Sequence, residues 1–421
     1  MWLDMLQPAK GITAMAAQGF SETPQKSTYD VVIVGGAIMG SSTAWFLSKN
    51  PDFNGSVLVV ERDTSYEKCS TAHTNSCIRQ QFSNELNVRI SQFAADFIKN
   101  IRSYMDNDPR VPELSIQNYG YMYLADNDAF AETLRENQKV QLAAGAATRL
   151  MSREEIKAEY PFYNVDDIVL GSINKVDEGY WDGGTVFEWF RRAARERGIE
   201  YVANEVVGMN RNAAGDRIES VTLASGAVIA CGQVVNASGP RAARTARMAG
   251  IDIPVEPRKR FTWVFSAEKP LKQDLPLTIN PSGVHMRQDG PQTYLAGGHG
   301  DPDPAVDFDD FAMDHGLWEN HAWPAIAERV PQFEAIKVIN EWAGHYAYNT
   351  FDHNAILGPH EAVKNFIFLN GFSGHGLQQS PAMGRATAEW LTFGEYRTLD
   401  MAPFGFERIV KNARFSEKAI I

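Results

Sequence analysis

The chain has 421 residues, 44% hydrophobic and 22% charged, enough to bury a large core, and this length favours two packed domains over one. Lys plus Arg at 40 against Asp plus Glu at 52 leaves a formal net charge of -12, which repels phosphate backbones and argues against nucleic acid or an anionic membrane as partner. Cys69, Cys77 and Cys231 form no CxxC pair and leave an odd count, so neither a disulfide framework nor a zinc site is expected, and a reducing, cytoplasmic setting fits.

No apolar run approaches the roughly 20 residues of a membrane-spanning helix. Residues 1–28 lack the basic start, apolar stretch and cleavage site of a signal peptide; they read as an N-terminal extension, either a flexible arm or a cover over another subunit. A buried strand at 31–34, a glycine turn, a helix at 38–47 and a second strand at 56–60 ending on Glu61 form the opening βαβ of a parallel sheet. Residues 87–104 read as a helix with Val88, Phe93, Phe97 and Ile101 on one face. Residues 119–124 are strand-like, and 129–144 and 152–160 helical. After Asp182-Gly183-Gly184-Thr185 come a helix at 186–197 and strands at 200–208, 218–223, 227–230 and 233–237, the last running into Ser238-Gly239-Pro240. Between Pro254 and Trp342 the chain turns aromatic and strand-rich, with pieces at 260–266 and 293–297; a different domain is threaded through the first. There are no internal repeats.

Two segments carry the chemistry. In the first, Gly35-Gly36-Ala37-Ile38-Met39-Gly40, Gly35 and Gly40 take the outer positions of GxGxxG and Ala37 the middle one. A tight turn there lets backbone N–H groups and a helix N-terminus meet a diphosphate. Glu61 lies at the spacing expected of the carboxylate that accepts hydrogen bonds from a ribose, which disfavours a 2'-phosphate and leaves NAD or FAD. In the second, Asn370-Gly371-Phe372-Ser373-Gly374-His375-Gly376-Leu377-Gln378 is a glycine-rich loop feeding a helix expected to begin near Gln379 or Pro381. Loop amides and a helix N-terminus would stabilise negative charge on a reduced flavin, a need NAD does not have, so the pair points to FAD.

With these motifs, and with Glu61-Arg62, Ser70-Thr71, Asp182-Gly183-Gly184, Val206 and Asn236-Ala237-Ser238-Gly239-Pro240 in the same order, the sequence resembles the FAD-dependent D-amino-acid oxidase superfamily. The similarity is greatest to the branch holding monomeric sarcosine oxidase, glycine oxidase and dimethylglycine dehydrogenase. Ser76-Cys77-Ile78-Arg79-Gln80-Gln81-Phe82-Ser83 is most similar to a less characterised branch that includes a mitochondrial assembly factor of respiratory complex I. The resemblance implies an α/β (α+β overall) fold: a Rossmann-like FAD-binding domain of the glutathione-reductase type, with a discontinuous β-sheet substrate-binding domain. It divides the chain into FAD-binding segments 29–104, 174–253 and 343–421 and substrate-binding segments 105–173 and 254–342. It also implies an adenine contact at Val206 and flavin contacts at Ser70, Thr71, Gly239, Gly374, His375, Gly376, Leu377 and Gln378, with Ser238, Gly371 and Ser373 also in the cofactor site.

The activity it implies is transfer of a hydride from the alpha carbon of an amino acid or N-substituted amino acid to flavin N5, giving an imine that hydrolyses, with an FAD-dependent 2-hydroxy acid dehydrogenase and a non-catalytic assembly flavoprotein as the alternatives. The flavin does the hard step and the protein supplies orientation. Arg79 matches the carboxylate-binding arginine of sarcosine oxidase-like enzymes, a salt bridge under the flavin loop being the competing reading; Arg287 and Arg260 are further candidates. His345 stands where those enzymes carry a flavin-linked cysteine, which excludes that linkage and leaves a cavity-lining role or that of a hydrogen-bonded structural histidine. FAD is expected to be non-covalent, attachment through His73 being the alternative. Tyr121, Tyr123, Tyr346 and Tyr348 are candidate cavity walls. Tyr294-Leu295-Ala296-Gly297-Gly298-His299 lacks the oxygen-promoting lysine of the oxidases, so among oxygen, a quinone and an electron-transfer protein the last two are the expected acceptors. No histidine spacing suggests a metal.

Overall fold

The computed structural model describes residues 19–418; of the expected N-terminal arm or cover, residues 1–18 lie outside the described residues. The first of two large sheets is built on parallel strands in the spatial order Phe366–Asn370, Val228–Asn236, Thr28–Val34, Val57–Glu61 and Glu200–Ala203. Val31 to Val34 are at most 7% exposed, as a strand covered on both faces requires. Val31 and Ile33 face a core shared with the helices Ile38–Lys49, Glu85–Lys99, Gly183–Glu196 and Gly376–Phe393. Val32 and Val34 face a second core with the helix Ala242–Met248 and the antiparallel strands Val206–Arg211 and Ile218–Leu223. The first and last of these helices cross closely, since a Cβ on Gly384 would lie 2.0 Å from Ser42 Oγ.

The second sheet runs Ile336–Asn349, Val255–Ala267, Thr293–Gly298, His285–Gln288, Leu277–Ile279, Tyr121–Ala125, Leu170–Asn174 and Arg149–Met151. Every pairing is antiparallel except that of Leu277–Ile279 with Tyr121–Ala125. Because strand side chains alternate, Trp263, Phe265, Tyr294 and Met286 pack into this sheet's own core, while Arg260, Thr262, His285 and Tyr121 belong to the opposite face and line a cavity against the first sheet.

The α/β class expected from the sequence is the class observed, with local differences that have physical causes. The expected strand 200–208 is two, Glu200–Ala203 and Val206–Arg211, paired to different neighbours. The expected strands 227–230 and 233–237 are one, Val228–Asn236, continuous through Gly232 because that glycine packs where a Cβ would lie 2.5 Å from Asp30 O. The strand Ile336–Asn349 carries the second sheet beyond the expected segment limit at 342. The helix expected from Gln379 or Pro381 begins at Gly376 and holds Pro381 inside it. Proline there cannot donate to the Leu377 carbonyl, and Ser380 Oγ does so instead at 2.8 Å.

The C-terminal arm is anchored by a buried ion pair. Arg408 Nε and Nη2 donate to the two oxygens of Asp352 at 2.7 and 2.9 Å, with Asp352 1% exposed, and Phe415 N donates to the same carboxylate at 3.0 Å. Replacing Asp352 with Ala strands a buried guanidinium and should cost about 3–5 kcal/mol of unfolding free energy. Urea denaturation checks this, and a midpoint equal to that of the unsubstituted chain would contradict it.

Candidate cofactor and substrate site

The carboxyl ends of the parallel strands open on a cavity of about 270 Å³ that reaches the face of the second sheet carrying Arg260, Thr262 and His285. At its floor Gly35 adopts φ +101°, donates to Val60 O at 2.9 Å and passes so near Ala237 that a Cβ would sit 2.6 Å from its carbonyl oxygen. Gly40 is closer still to the turn, a Cβ there falling 1.9 Å from Gly35 O. Gly36 N donates to Glu61 Oε2 at 2.8 Å. Gly36 and Gly40 thus shape the turn, while Gly35, Ala37, Ile38 and Met39 line the cavity. Ala37, as N-cap, gives the following helix no side-chain cap, so apart from Ile38 N, which meets Thr71 Oγ1, its N-terminal amides remain available to an anion.

Glu61 lines the cavity at 8% exposure. Burial raises its carboxyl above the ordinary range, against the stabilising amides of Asp63 and Gly36. Arg62, Val206, Ser238 and Gly239 line the same end; Gly239 has φ +57° and open space where a Cβ would stand. Thr71 Oγ1 accepts from Ile38 N at 3.4 Å and Ser70 Oγ donates to His345 O at 2.6 Å, so this loop ties the first helix to the second sheet. His73 donates from Nδ1 to Cys69 O at 3.1 Å.

The second glycine loop forms the opposite wall. Ser373, Gly374, His375, Gly376, Leu377 and Gln378 all line the cavity, whereas Gly371 shapes the loop from behind at φ +69°. Gly374 takes φ +92° and lies so close to Tyr346 that a Cβ would be 2.5 Å from its ring. The helix Gly376–Phe393 also lacks a side-chain cap. Two helix N-termini therefore face one cavity, one above the Gly35 turn and one at the far wall. This arrangement, with Glu61 at one end and backbone amides at both, fits FAD: the Gly35 turn, Ile38 and Met39 would hold the diphosphate, Glu61 the ribose, and Gly374 to Gln378 the flavin.

Arg79 sits between the two jaws at 1% exposure. Its backbone N donates to Gln378 Oε1 at 2.8 Å, Nη1 to Gln81 O at 2.6 Å and Nη2 to His375 Nε2 at 2.8 Å. Burial, and then Arg79, push His375 well below ordinary imidazole basicity, so its ring is neutral and Nε2 accepts. The guanidinium also lies 4.2 Å from the Phe82 ring centre and 5.8 Å from that of Tyr121.

Of the other arginines, Arg260 lines the cavity with its Nη1 and Nη2 on Asp303 at 2.9 and 3.0 Å. Arg287 does not line it: the guanidinium is turned onto Asp289 at 2.9 Å and Asn75 O at 3.1 Å, and stacks on Tyr180 at 4.6 Å. It braces the wall from behind, which corrects its expected place at the substrate. His345 lines the cavity with Nε2–H on Asp310 O at 2.8 Å and its ring stacked on Phe311 at 4.3 Å.

Sequence reasoning missed Asn75, Thr262 and His285. Asn75 receives a hydrogen bond from Thr262 at 3.2 Å and gives one to His285 Nε2 at 2.9 Å. Burial, with Arg287 and Arg260 behind it, pushes His285 down to about 3. Its ring lies over Gly297, where a Cβ would come within 2.4 Å. A histidine and a glycine on adjacent strands were the available signal, readable only once the register is known.

Comparison with known proteins identifies the family. The sequence profile described as "DAO: FAD dependent oxidoreductase" matches residues 30–390. FAD-dependent oxidoreductase domain-containing protein 1 of Xenopus laevis is 36% identical over 424 residues, covering 93% of this chain and 85% of that one. Mitochondrial sarcosine dehydrogenase of Mus musculus is 25% identical over 396 residues, 90% of this chain and 42% of its own. The crystal structure of L-proline dehydrogenase from P. horikoshii is similar with a TM-score of 0.78 and 26% identity, over 93% of this chain and all 100% of that one. The chain belongs to the DAO family of FAD-dependent oxidoreductases.

Proposed function

We propose that this protein is an amine oxidoreductase that takes a hydride from the alpha carbon of an amino acid or N-substituted amino acid, giving an imine that water hydrolyses. The observation that carries this reading is Arg79: a buried cation in the cavity wall, bonded through His375 to the loop where the flavin would lie. FAD supplies the two-electron acceptor when bound. Arg79 supplies the charge that orients a carboxylate, and Tyr121 and Tyr346 wall the same space. Relatives named as sarcosine and proline dehydrogenases support a secondary amine as substrate. The same cation would grip a 2-hydroxy acid, and a flavoprotein acting only in assembly would use neither; both are outcomes of the first experiment below.

Anaerobic titration with sarcosine, L-proline, other D- and L-amino acids, opines and 2-hydroxy acids should bleach the flavin absorbance with one or more amino acids. Bleaching by 2-hydroxy acids alone would transfer the proposal to them, and none at all would favour the assembly role. Arg79→Lys, which keeps the charge and loses the planar fork, should raise KM about 10- to 100-fold if a charged hydrogen bond of about 1.5–3 kcal/mol is lost; an unchanged KM removes Arg79 from the substrate. Among the described residues Lys68 is the only lysine lining the cavity, and it stands at the Arg62 end. The reduced flavin is therefore expected to react slowly with oxygen and quickly with a quinone, which rapid peroxide formation under air would contradict. Since His73 Nδ1 is engaged by Cys69 O and its ring is stacked by Phe311, acid precipitation should leave all flavin in the supernatant; a yellow pellet would assign the covalent link.

A further inference from the structure

A short segment of the second sheet's long connection packs against the cavity, with Phe308 in its lining. It leaves that sheet where Ala305 bridges Arg258 and Val306 N donates to Pro257 O at 3.0 Å. Asp307-Phe308-Asp309-Asp310-Phe311 then engages three separate parts of the cofactor wall. Asp309 Oδ1 lies 3.1 Å from Arg241 Nη2, 3.7 Å from Arg62 Nη2 and 3.8 Å from Lys68 Nζ. Phe308 lines the cavity beneath the Arg241 guanidinium, 4.9 Å from its ring centre. Phe311 is stacked between His345 at 4.3 Å and His73 at 5.4 Å, with interplanar angles of 19° and 26°. The Asp310 carbonyl accepts from His345 Nε2, and its carboxylate pairs with Lys259 at 2.7 Å.

Topology tells what this segment spans. Arg62 and Lys68 follow the strand Val57–Glu61, and Arg241 follows the strand Val228–Asn236; these two strands flank Thr28–Val34 on opposite sides. A carboxylate hydrogen-bonded to Arg241 and ion-paired with Arg62 and Lys68 bridges over the end of the strand between them, where the Gly35 turn stands. We propose that residues 307–311 are a clasp that retains FAD without a covalent bond, Asp309 and Phe311 being its two fastenings. The cofactor enters and leaves only when Phe311 withdraws from between the histidines and Asp309 releases the wall. His73 and His345, read from the sequence as the alternative flavin attachment and as a cavity wall, thus serve the clasp. The inference rests on the cofactor and is independent of which substrate is oxidised.

The test is the release of FAD from the loaded full-length chain after rapid dilution, followed by the fluorescence of free flavin. Phe311→Ala loses two ring contacts and should release FAD about tenfold faster, the scale of one to two aromatic pairs. Asp309→Asn discriminates by sign. If Asp309 were only a negative charge beside a diphosphate, its removal would slow release; as a fastening, its removal speeds release about threefold, as expected for a partly exposed ion-pair cluster. FAD association with the apo chain should also quicken in both variants, because a gate limits both directions. Melting curves establish that each variant is folded, and should Phe311→Ala not fold, Asp309→Asn alone decides. Slower or unchanged release in Asp309→Asn overturns the clasp, as does release by folded Phe311→Ala within about twofold of the unsubstituted chain, a change below the aromatic contribution.

Discussion

The approach of Gly40 to the Gly35 carbonyl oxygen sets the position of almost everything else in the site. With no room for a Cβ at either residue, the first helix starts directly over the end of the first strand, and its N-terminal amides point at the place where a diphosphate would lie. That helix is nearly all buried because it also packs on the helix Gly376–Phe393. The second glycine loop, which starts the latter helix, is thereby fixed relative to the first turn although more than three hundred residues separate them in the chain. The two anion-stabilising ends are registered by helix packing, so neither loop has to be rigid by itself.

Arg79 shows how the substrate side is tied to the same frame. Its backbone is held by Gln378 of the late helix, and its neighbours Gln80 and Gln81 are held by Glu178, which accepts from Gln80 N at 2.6 Å and Gln81 Nε2 at 2.9 Å. Burial pushes Glu178 up to about 7, against those donors and the Arg79 charge. A charged side chain 1% exposed would be costly without such partners. Here the guanidinium is satisfied partly by the loop that would hold the flavin, so the cation and the cofactor site are positioned by one network.

What could be read in the sequence was whatever depends on neighbours along the chain. The βαβ unit, Glu61 and the glycine loop are local patterns, and all of them meet in one cavity. Signals that depend on register were not readable: Asn75 and His285 are 210 residues apart and bonded. Arg287 reads as a candidate because it is an arginine in a strand-like stretch; two positions along that strand from His285 it meets Asp289 and Tyr180 instead. The strand at 200–208 read as continuous because Asn204 and Glu205 interrupt the apolar pattern by too little to reveal a change of partner. Residues 307–311 carried no motif at all, since an acidic aromatic run acquires meaning only from the arginines and histidines it lands on.

The charge distribution gives the clasp a second consequence. A chain of net charge -12 repels an anionic dinucleotide from most of its surface, yet the cavity is lined by Arg62, Lys68, Arg79, Arg241, Arg244 and Arg260 against only Glu61 and Glu205. Such a locally positive cleft in an acidic surface concentrates the field on the entrance. Asp309 neutralises part of it in the closed form. Because that carboxylate belongs to the moving segment, opening the clasp carries it away from Arg62, Lys68 and Arg241 together, and the attraction for a diphosphate is greatest when the entrance is clear. Closure then returns the acid to the rim, where it covers the cations that drew the cofactor in.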